Sequence, residues 1–179
     1  MRRTVDNLER YTDEKEKIID FLTKNDKELA VPISSFPWWI KETVHLLSEK
    51  GKIIIAEKWE EILWLLWITF GEPSKNYENQ DIWYLYLLLL DTKSRRKRGI
   101  ILWVFQKILE EMKSRWIQTI RFKADTNVIY NNNLYKKFAK IIDTQNNTQW
   151  VPCNLYEANV EELYQSMFID NNFRPLLQK

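Results

Sequence analysis

Three strand-like runs follow one another in the middle of the chain, namely "KIIIAE" at 52–57, "EILWLLWITF" at 61–70 and "DIWYLYLLLL" at 81–90. Only "KWE" separates the first two, and the turn-rich "GEPSKNYENQ" separates the last two. Because connections this short join antiparallel neighbours, we predict an antiparallel meander. The third run is apolar throughout instead of alternating, which is typical of a central strand covered on both faces.

Helical patterns flank this meander. The stretch 12–23 carries acids in its first turn and brings apolar residues to one face, which predicts a first helix. A second helix is expected over 38–50, ending at Gly51, and a third over 99–115, buried at its start and exposed at its end.

The remaining chain alternates between strand and helix patterns. We predict a strand at 119–125, a short helix within "NNNLYKKFAKII", a further strand, and a long polar turn at 143–149. After that turn, "VPCNLYEA" could form a closing strand and "NVEELYQSMF" a C-terminal helix.

Composition limits the class of protein. With 179 residues, 45% of them hydrophobic, the chain can bury the core of one domain, and its formal charge of +2 argues against a nucleic-acid partner. The single cysteine, Cys153, excludes an internal disulfide, and neither a C-x-x-C pair nor a histidine cluster suggests a metal site. Acidic residues fill the first 20 positions where a signal peptide would be apolar, so we expect a cytoplasmic protein that does not bind membranes.

A basic turn with one glycine joins the third strand to the third helix, as "RKRGII" at 96–101. It aligns with the signature Q/R-x-x-G-x-G/A, and Asn127 with "LYKKFAK" at 134–140 aligns with a later "N…LY.K.GF" element. The chain thus resembles the GNAT superfamily of acyl-CoA-dependent N-acetyltransferases over about 51–142. The resemblance implies one α/β domain over 1–179, with N-terminal helices in 1–50, a coenzyme-binding core in 51–142 and C-terminal strands and a helix in 143–179. Its sheet would be mixed and mostly antiparallel, with a splayed parallel central pair.

The resemblance also implies that acetyl-CoA, or another acyl-CoA, donates an acyl group to an amine acceptor without a metal. A helix N-terminus and basic side chains favour an anion, so the turn would hold the pyrophosphate. The residues that would contact the coenzyme are Leu89, Leu90, Arg95, Arg96, Lys97, Arg98, Gly99, Ile100, Ile101 and Asn127. A bulge in the strand 82–90 would offer an N–H to the thioester oxygen.

Tyr135 aligns with the family's usual general acid, which would protonate the departing thiolate. Its alternative role is to pack the last helix onto the sheet. For the base, Tyr84 and Tyr86 are the candidates on the strand, and Asp81, Glu57 and Glu72 are also open.

A non-catalytic GNAT-like module that binds a protein or peptide is the alternative function. Ile101 favours it, because this branched side chain stands where the signature has a second small residue. Trp38 and Trp39 could border an acceptor or equally anchor a homodimer. We expect His45 to be a packed or surface residue and Cys153 to be a buried strand residue and not a nucleophile.

Overall fold

The computed structural model describes residues 2–5, 8–28, 49–58, 61–91, 98–147 and 150–169, with single positions at 40, 42, 44 and 45. The strands are β1 Arg2–Val5, β2 Gly51–Lys58, β3 Glu61–Phe70, β4 Ile82–Leu90, β5 Thr119–Asp125, β6 Lys140–Asn146 and β7 Pro152–Asn159. The helices are α1 Leu8–Lys24, α2 Arg98–Ser114, α3 Ile129–Tyr135 and α4 Val160–Tyr164, and α4 continues into a π-helical turn, Gln165–Ile169. No helix in these ranges is long and apolar enough to cross a membrane.

The strands form a seven-stranded sheet in the order β1-β2-β3-β4-β5-β7-β6. The β1–β2, β2–β3, β5–β7 and β6–β7 ladders are antiparallel. β3 and β4 are antiparallel too, because Gly71 donates to Ile82 at 2.8 Å and Asp91 donates to Leu63 at 2.9 Å. β4 and β5 are neighbours joined through α2, which is the crossover that parallel neighbours require. The mixed, mostly antiparallel fold and the meander are thus confirmed.

The chain divides into two compact units, Met1–Thr69 with Leu85–Arg96, and Phe70–Tyr84 with Lys97–Lys179. In the first unit, α1 contributes Ile18 and Leu22 to the core, and Trp64 and Trp67 of β3 are only 1% and 2% exposed. Burial of this apolar surface is the main force that stabilises the unit. The single domain expected from the sequence stays a prediction.

In the second unit, β5 alternates between buried and half-buried residues, as a strand covered on one face should. Arg121 lies on the half-buried face, where its guanidinium donates to Glu157 at 2.7 Å and to Glu72 at 3.1 Å. Glu72 is 3% exposed and belongs to the loop between β3 and β4. This buried ion network ties that loop to β5 and β7.

Two sequence-based predictions need correction. The segment 143–149 is not one long turn, since β6 continues to Asn146 and pairs with β7. Its residues are almost all exposed, so an edge strand made of polar residues gave no apolar alternation to recognise. β4 is central in the sheet but not fully covered, because Tyr86 is 38% exposed. The sequence also gave no sign of β1, which is only four residues long.

Helix α2 ends with a tryptophan in a left-handed conformation. Trp116 has φ 61°, its N–H donates to Lys113 at 3.1 Å, and the N–H of Ile117 donates to Met112 at 2.9 Å. This pair of hydrogen bonds is the Schellman motif, whose left-handed position usually holds glycine. The Trp116 side chain is 89% exposed, so burial compensates little of the backbone strain.

We therefore expect Trp116→Gly to raise the free energy of unfolding by about 0.5–1 kcal/mol, because glycine adopts this conformation without strain. Denaturant unfolding monitored by circular dichroism measures the change. Trp116→Ala is the control, since it removes the same side chain but keeps the strain, and equal stabilisation by the two variants would contradict the explanation.

Candidate active site

Tyr135 is the last residue of α3, and aromatic rings surround it in the second unit. Its ring meets Phe122 of β5 edge to face at 4.8 Å between centroids, Tyr156 of β7 at 5.5 Å and Phe138 at 5.9 Å. Edge-to-face contacts at these distances are favourable and fix the plane of the ring. The side chain is nevertheless only half-buried.

The Tyr135 hydroxyl forms no hydrogen bond with any residue that the structure describes. Burial raises the pKa of this phenol above 10.0, and the neighbouring charge of Tyr156 raises it further. Since the pKa of a tyrosine lies far above neutral pH, Tyr135 is protonated there, and no described residue accepts a hydrogen bond from its hydroxyl.

Tyr156 shares the same aromatic cluster but is used differently. It is fully buried, its ring stacks on Phe122 at 5.4 Å and 9°, and its hydroxyl donates to Oδ1 of Asn132 at 2.7 Å. Burial raises its pKa as well. The Tyr156 hydroxyl is thus committed to Asn132, whereas the Tyr135 hydroxyl has no hydrogen-bond partner among the described residues.

Asn132 is a residue that the sequence analysis missed. It is 6% exposed, whereas Asn131 is half-buried and Asn133 is exposed. In the sequence, helical spacing separates only Asn133 from the other two asparagines, since Asn131 and Asn132 precede Tyr135 by four and three residues and either spacing places two residues on one side of a helix. Nothing in the sequence favours Asn132 over Asn131.

The predicted phosphate turn is described in part. Arg98, Gly99, Ile100 and Ile101 form the first turn of α2, which contains no acidic residue. The N–H groups of such a turn lack partners inside the helix, and the dipole favours an anion beside them. Residues Arg95, Arg96 and Lys97 lie outside the described residues, as do Trp38 and Trp39.

The other predicted coenzyme contacts lie on β4 and after β5. Leu89 is 4% exposed in the first unit, and Leu90 is the last residue of β4. Asn127 is exposed in the second unit, where its N–H donates to Oδ1 of Asp125 at 2.7 Å. This turn fixes the backbone as it leaves β5.

The candidates for a base lie in different surroundings. Tyr84 is 6% exposed in the second unit, and Tyr86, in the first, meets Trp67 edge to face at 6.2 Å. Asp81 is exposed, and Glu72 is committed to Arg121 and Ser74.

Glu57 differs from these groups, because its buried Oε1 has no hydrogen-bond partner among the described residues. This oxygen lies 4.0 Å from Nζ of Lys17 in the first unit. Across the described ranges, no group of three or more His, Cys, Asp or Glu side chains could hold a metal ion.

Cys153 and His45 lie in the surroundings that the sequence predicted for them. Cys153 is buried on β7, and burial raises the pKa of its thiol, which disfavours the thiolate that a nucleophile needs. His45 is exposed, and its Nε2 lies 3.4 Å from Glu49.

Comparison with known proteins identifies the fold, and it does so through structure and not through sequence. No family model matches the sequence, and no curated protein matches it. Among solved structures, an N-acetyltransferase from Staphylococcus aureus Mu50 has a TM-score of 0.65 at 18% identity, covering 89% of this chain and 98% of that one.

Two further structures agree with this result. An acetyltransferase of the GNAT family from Streptococcus pneumoniae has a TM-score of 0.60 at 12% identity, covering 89% of this chain and 98% of its own. An aminoglycoside 6'-N-acetyltransferase complexed with coenzyme A has a TM-score of 0.61 at 15% identity, with coverage of 89% and 97%. The chain therefore has the fold of the GNAT acetyltransferases.

Proposed function

We propose that this protein is an acyl-CoA-dependent N-acyltransferase, which moves an acetyl or other acyl group from coenzyme A to an amine in the cytoplasm. The observation that carries the proposal is Tyr135, whose ring is fixed by three aromatic neighbours while its hydroxyl is uncommitted. It occurs on a GNAT fold, and one similar structure is complexed with coenzyme A.

The first turn of α2 is the proposed pyrophosphate site. Its unpartnered N–H groups and the absence of acidic residues suit an anion, and Arg95, Arg96, Lys97 and Arg98 add positive charge in the sequence. Glycine at position 99 allows a phosphate to approach the backbone closely. Leu89, Leu90 and Asn127 are the proposed contacts of the pantetheine arm.

In the proposed reaction, the amine nitrogen bonds to the thioester carbon and the carbon–sulfur bond breaks. Tyr135 gives its proton to the departing sulfur, and the proton released by the amine leaves through a base or water. Tyr135 is protonated at neutral pH, as any tyrosine with an ordinary or raised pKa is. An N–H freed by a bulge in β4 would stabilise the developing oxyanion. The phenol of Tyr84 or Tyr86 on the same strand would accept the amine proton on its oxygen while it passes its own proton to water.

A non-catalytic binding module is the second candidate function. Two tryptophans of the second unit favour it, since Trp116 and Trp150 are 89% and 83% exposed. Tryptophan is enriched where proteins bind one another and is uncommon at such exposure without a partner.

Binding of coenzyme A at the first turn of α2 can be measured as a gain in stability. Acetyl-CoA at about 100 times its dissociation constant should add roughly 2.7 kcal/mol to the free energy of unfolding, measured by thermal denaturation. Gly99→Asp should abolish this shift, because it places a negative charge beside the phosphates. Its stability without ligand should hold, since an acid suits a helix N-terminus.

Gly99→Asn is the matched control for that variant, because it adds a side chain of the same size without the charge. It should retain more of the shift than Gly99→Asp, and the difference between the two variants measures the effect of the charge. Absence of any shift in the wild-type protein with acetyl-CoA, a longer acyl-CoA and free coenzyme A would favour the binding module.

The role of Tyr135 as the acid can be tested separately from coenzyme binding. Tyr135→Phe should keep the acetyl-CoA shift and slow acyl transfer by about 100-fold or more, because the leaving thiolate loses its proton donor. The rate of thiol release from acetyl-CoA, with a panel of primary amines, measures this. Tyr164→Phe is the control: this tyrosine lies in the same unit, packed on Phe168 at 5.3 Å, and its variant should transfer at the wild-type rate. If Tyr135→Phe loses the shift instead, Tyr135 is structural.

A further inference from the structure

We infer that Asn132 is a positioning residue, which holds Tyr135 in place by fixing helix α3 and the ring of Tyr156. The inference rests on the proposed function for its catalytic consequence, but the positioning itself can be measured without turnover.

The Asn132 amide uses its full hydrogen-bonding capacity. Its Nδ2 donates to the carbonyl of Asp125 at 2.7 Å and to that of Val128 at 2.9 Å. Its Oδ1 accepts from Nδ2 of Asn154 at 2.8 Å and from the hydroxyl of Tyr156 at 2.7 Å. One buried side chain therefore joins the end of β5, the start of α3 and strand β7.

Helix α3 needs such an anchor because it is only seven residues long. Helices shorter than about 12 residues are marginal in water, so tertiary contacts must hold them. The Val128 cap position makes no side-chain hydrogen bond, which leaves the N-terminus of α3 without the usual support. Asn132, in the middle of the helix, supplies the buried attachment, and Tyr135 lies one turn further on.

The second route from Asn132 to Tyr135 passes through Tyr156. The hydrogen bond at 2.7 Å fixes the Tyr156 hydroxyl, and the stack on Phe122 fixes its plane. Phe122 and Tyr156 are in turn the two strand residues against which the Tyr135 ring lies, at 4.8 and 5.5 Å. Loss of the amide would remove the acceptor of the buried Tyr156 hydroxyl. The rings of Phe122 and Tyr156, which form the wall behind Tyr135, would then shift.

A titration of tyrosinate absorbance tests the positioning. The difference between each protein and the same protein carrying Tyr135→Phe isolates the ionisation of Tyr135. Tyr156 of β7 is the titratable group that faces it. In Asn132→Ala this ionisation should move to lower pH, towards the ordinary tyrosine value, because a displaced ring is more hydrated.

Asn133→Ala is the matched control, since it changes the exposed neighbour on the same helix and should leave the titration unmoved. If Asn132 only stabilises the fold, Asn132→Ala should lower the free energy of unfolding without moving the ionisation of Tyr135. An unmoved titration in a folded Asn132→Ala protein overturns the inference.

Turnover gives the second readout. Asn132→Ala and Tyr156→Phe should each lower kcat for acyl transfer by about 10- to 100-fold with little change in KM for acetyl-CoA, because misplacement of a reacting group by about 1 Å costs this much. If both substitutions act by displacing the ring at position 156, the double variant should be no slower than the slower single variant. Additive losses would show that Asn132 does not act through Tyr156.

The two proposals fail in different ways. If the titration moves but wild-type protein neither binds nor uses acetyl-CoA, the proposed function is wrong and the positioning stands. If the wild type is active and Asn132→Ala keeps both its rate and its titration, the positioning is wrong. Should Asn132→Ala not fold, Asn132→Ser keeps a hydroxyl at this position but cannot make all four hydrogen bonds, and it carries the same two measurements. Tyr156→Phe is measured by kcat alone, because the loss of the Tyr156 phenol by itself lowers the pKa of Tyr135.

Discussion

The register of β5 against β7 is the constraint on which the second unit depends. It places Phe122 opposite Tyr156, Arg121 opposite Glu157 and Asp125 opposite Cys153. A slip of one residue would send every side chain to the other face of the sheet. Phe122 and Tyr156 would then no longer lie against the ring of Tyr135. Arg121 would lose its ion pair with Glu157. Ile120 and Ala124, which share the buried face of β5 with Phe122, oppose such a slip through the apolar surface they would expose.

On this register, two tyrosines of similar chemistry take different roles. Tyr156 is buried with a bonded hydroxyl, and Tyr135 is half-buried with no partner for its hydroxyl among the described residues. The difference follows from location, since Tyr156 lies on the buried face of β7 and Tyr135 at the end of a short helix. Under the proposed function, the half-exposed residue is the one that can both give a proton and regain it from water, as an acid must in every turnover.

Sequence patterns predicted the framework well where periodicity is strong. The strand at 119–125 matches β5, the helix expected at 99–115 lies at Arg98–Ser114, and the meander is present. They failed where tertiary context decides, as in β1 and in the extent of β6 beyond Ile142, which depend on a neighbouring strand and not on their own apolar residues. The same holds for Asn132, since its importance arises from strands β5 and β7 and not from the helix it belongs to. Tyr135 was found through a family resemblance, and its aromatic surroundings could not have been read from spacing.

Strand β6 has one neighbour among the described strands, β7, so its other edge faces outward. Exposed backbone groups on such an edge can pair with a strand of another molecule and start aggregation. Here Lys140 and Asp143 flank two isoleucines that are 42% and 43% exposed, and the extra residue Ile142 interrupts the ladder. Charge and a bulge both oppose edge-to-edge pairing. The polar composition that hid the end of β6 from recognition thus also disfavours pairing of this edge with another molecule.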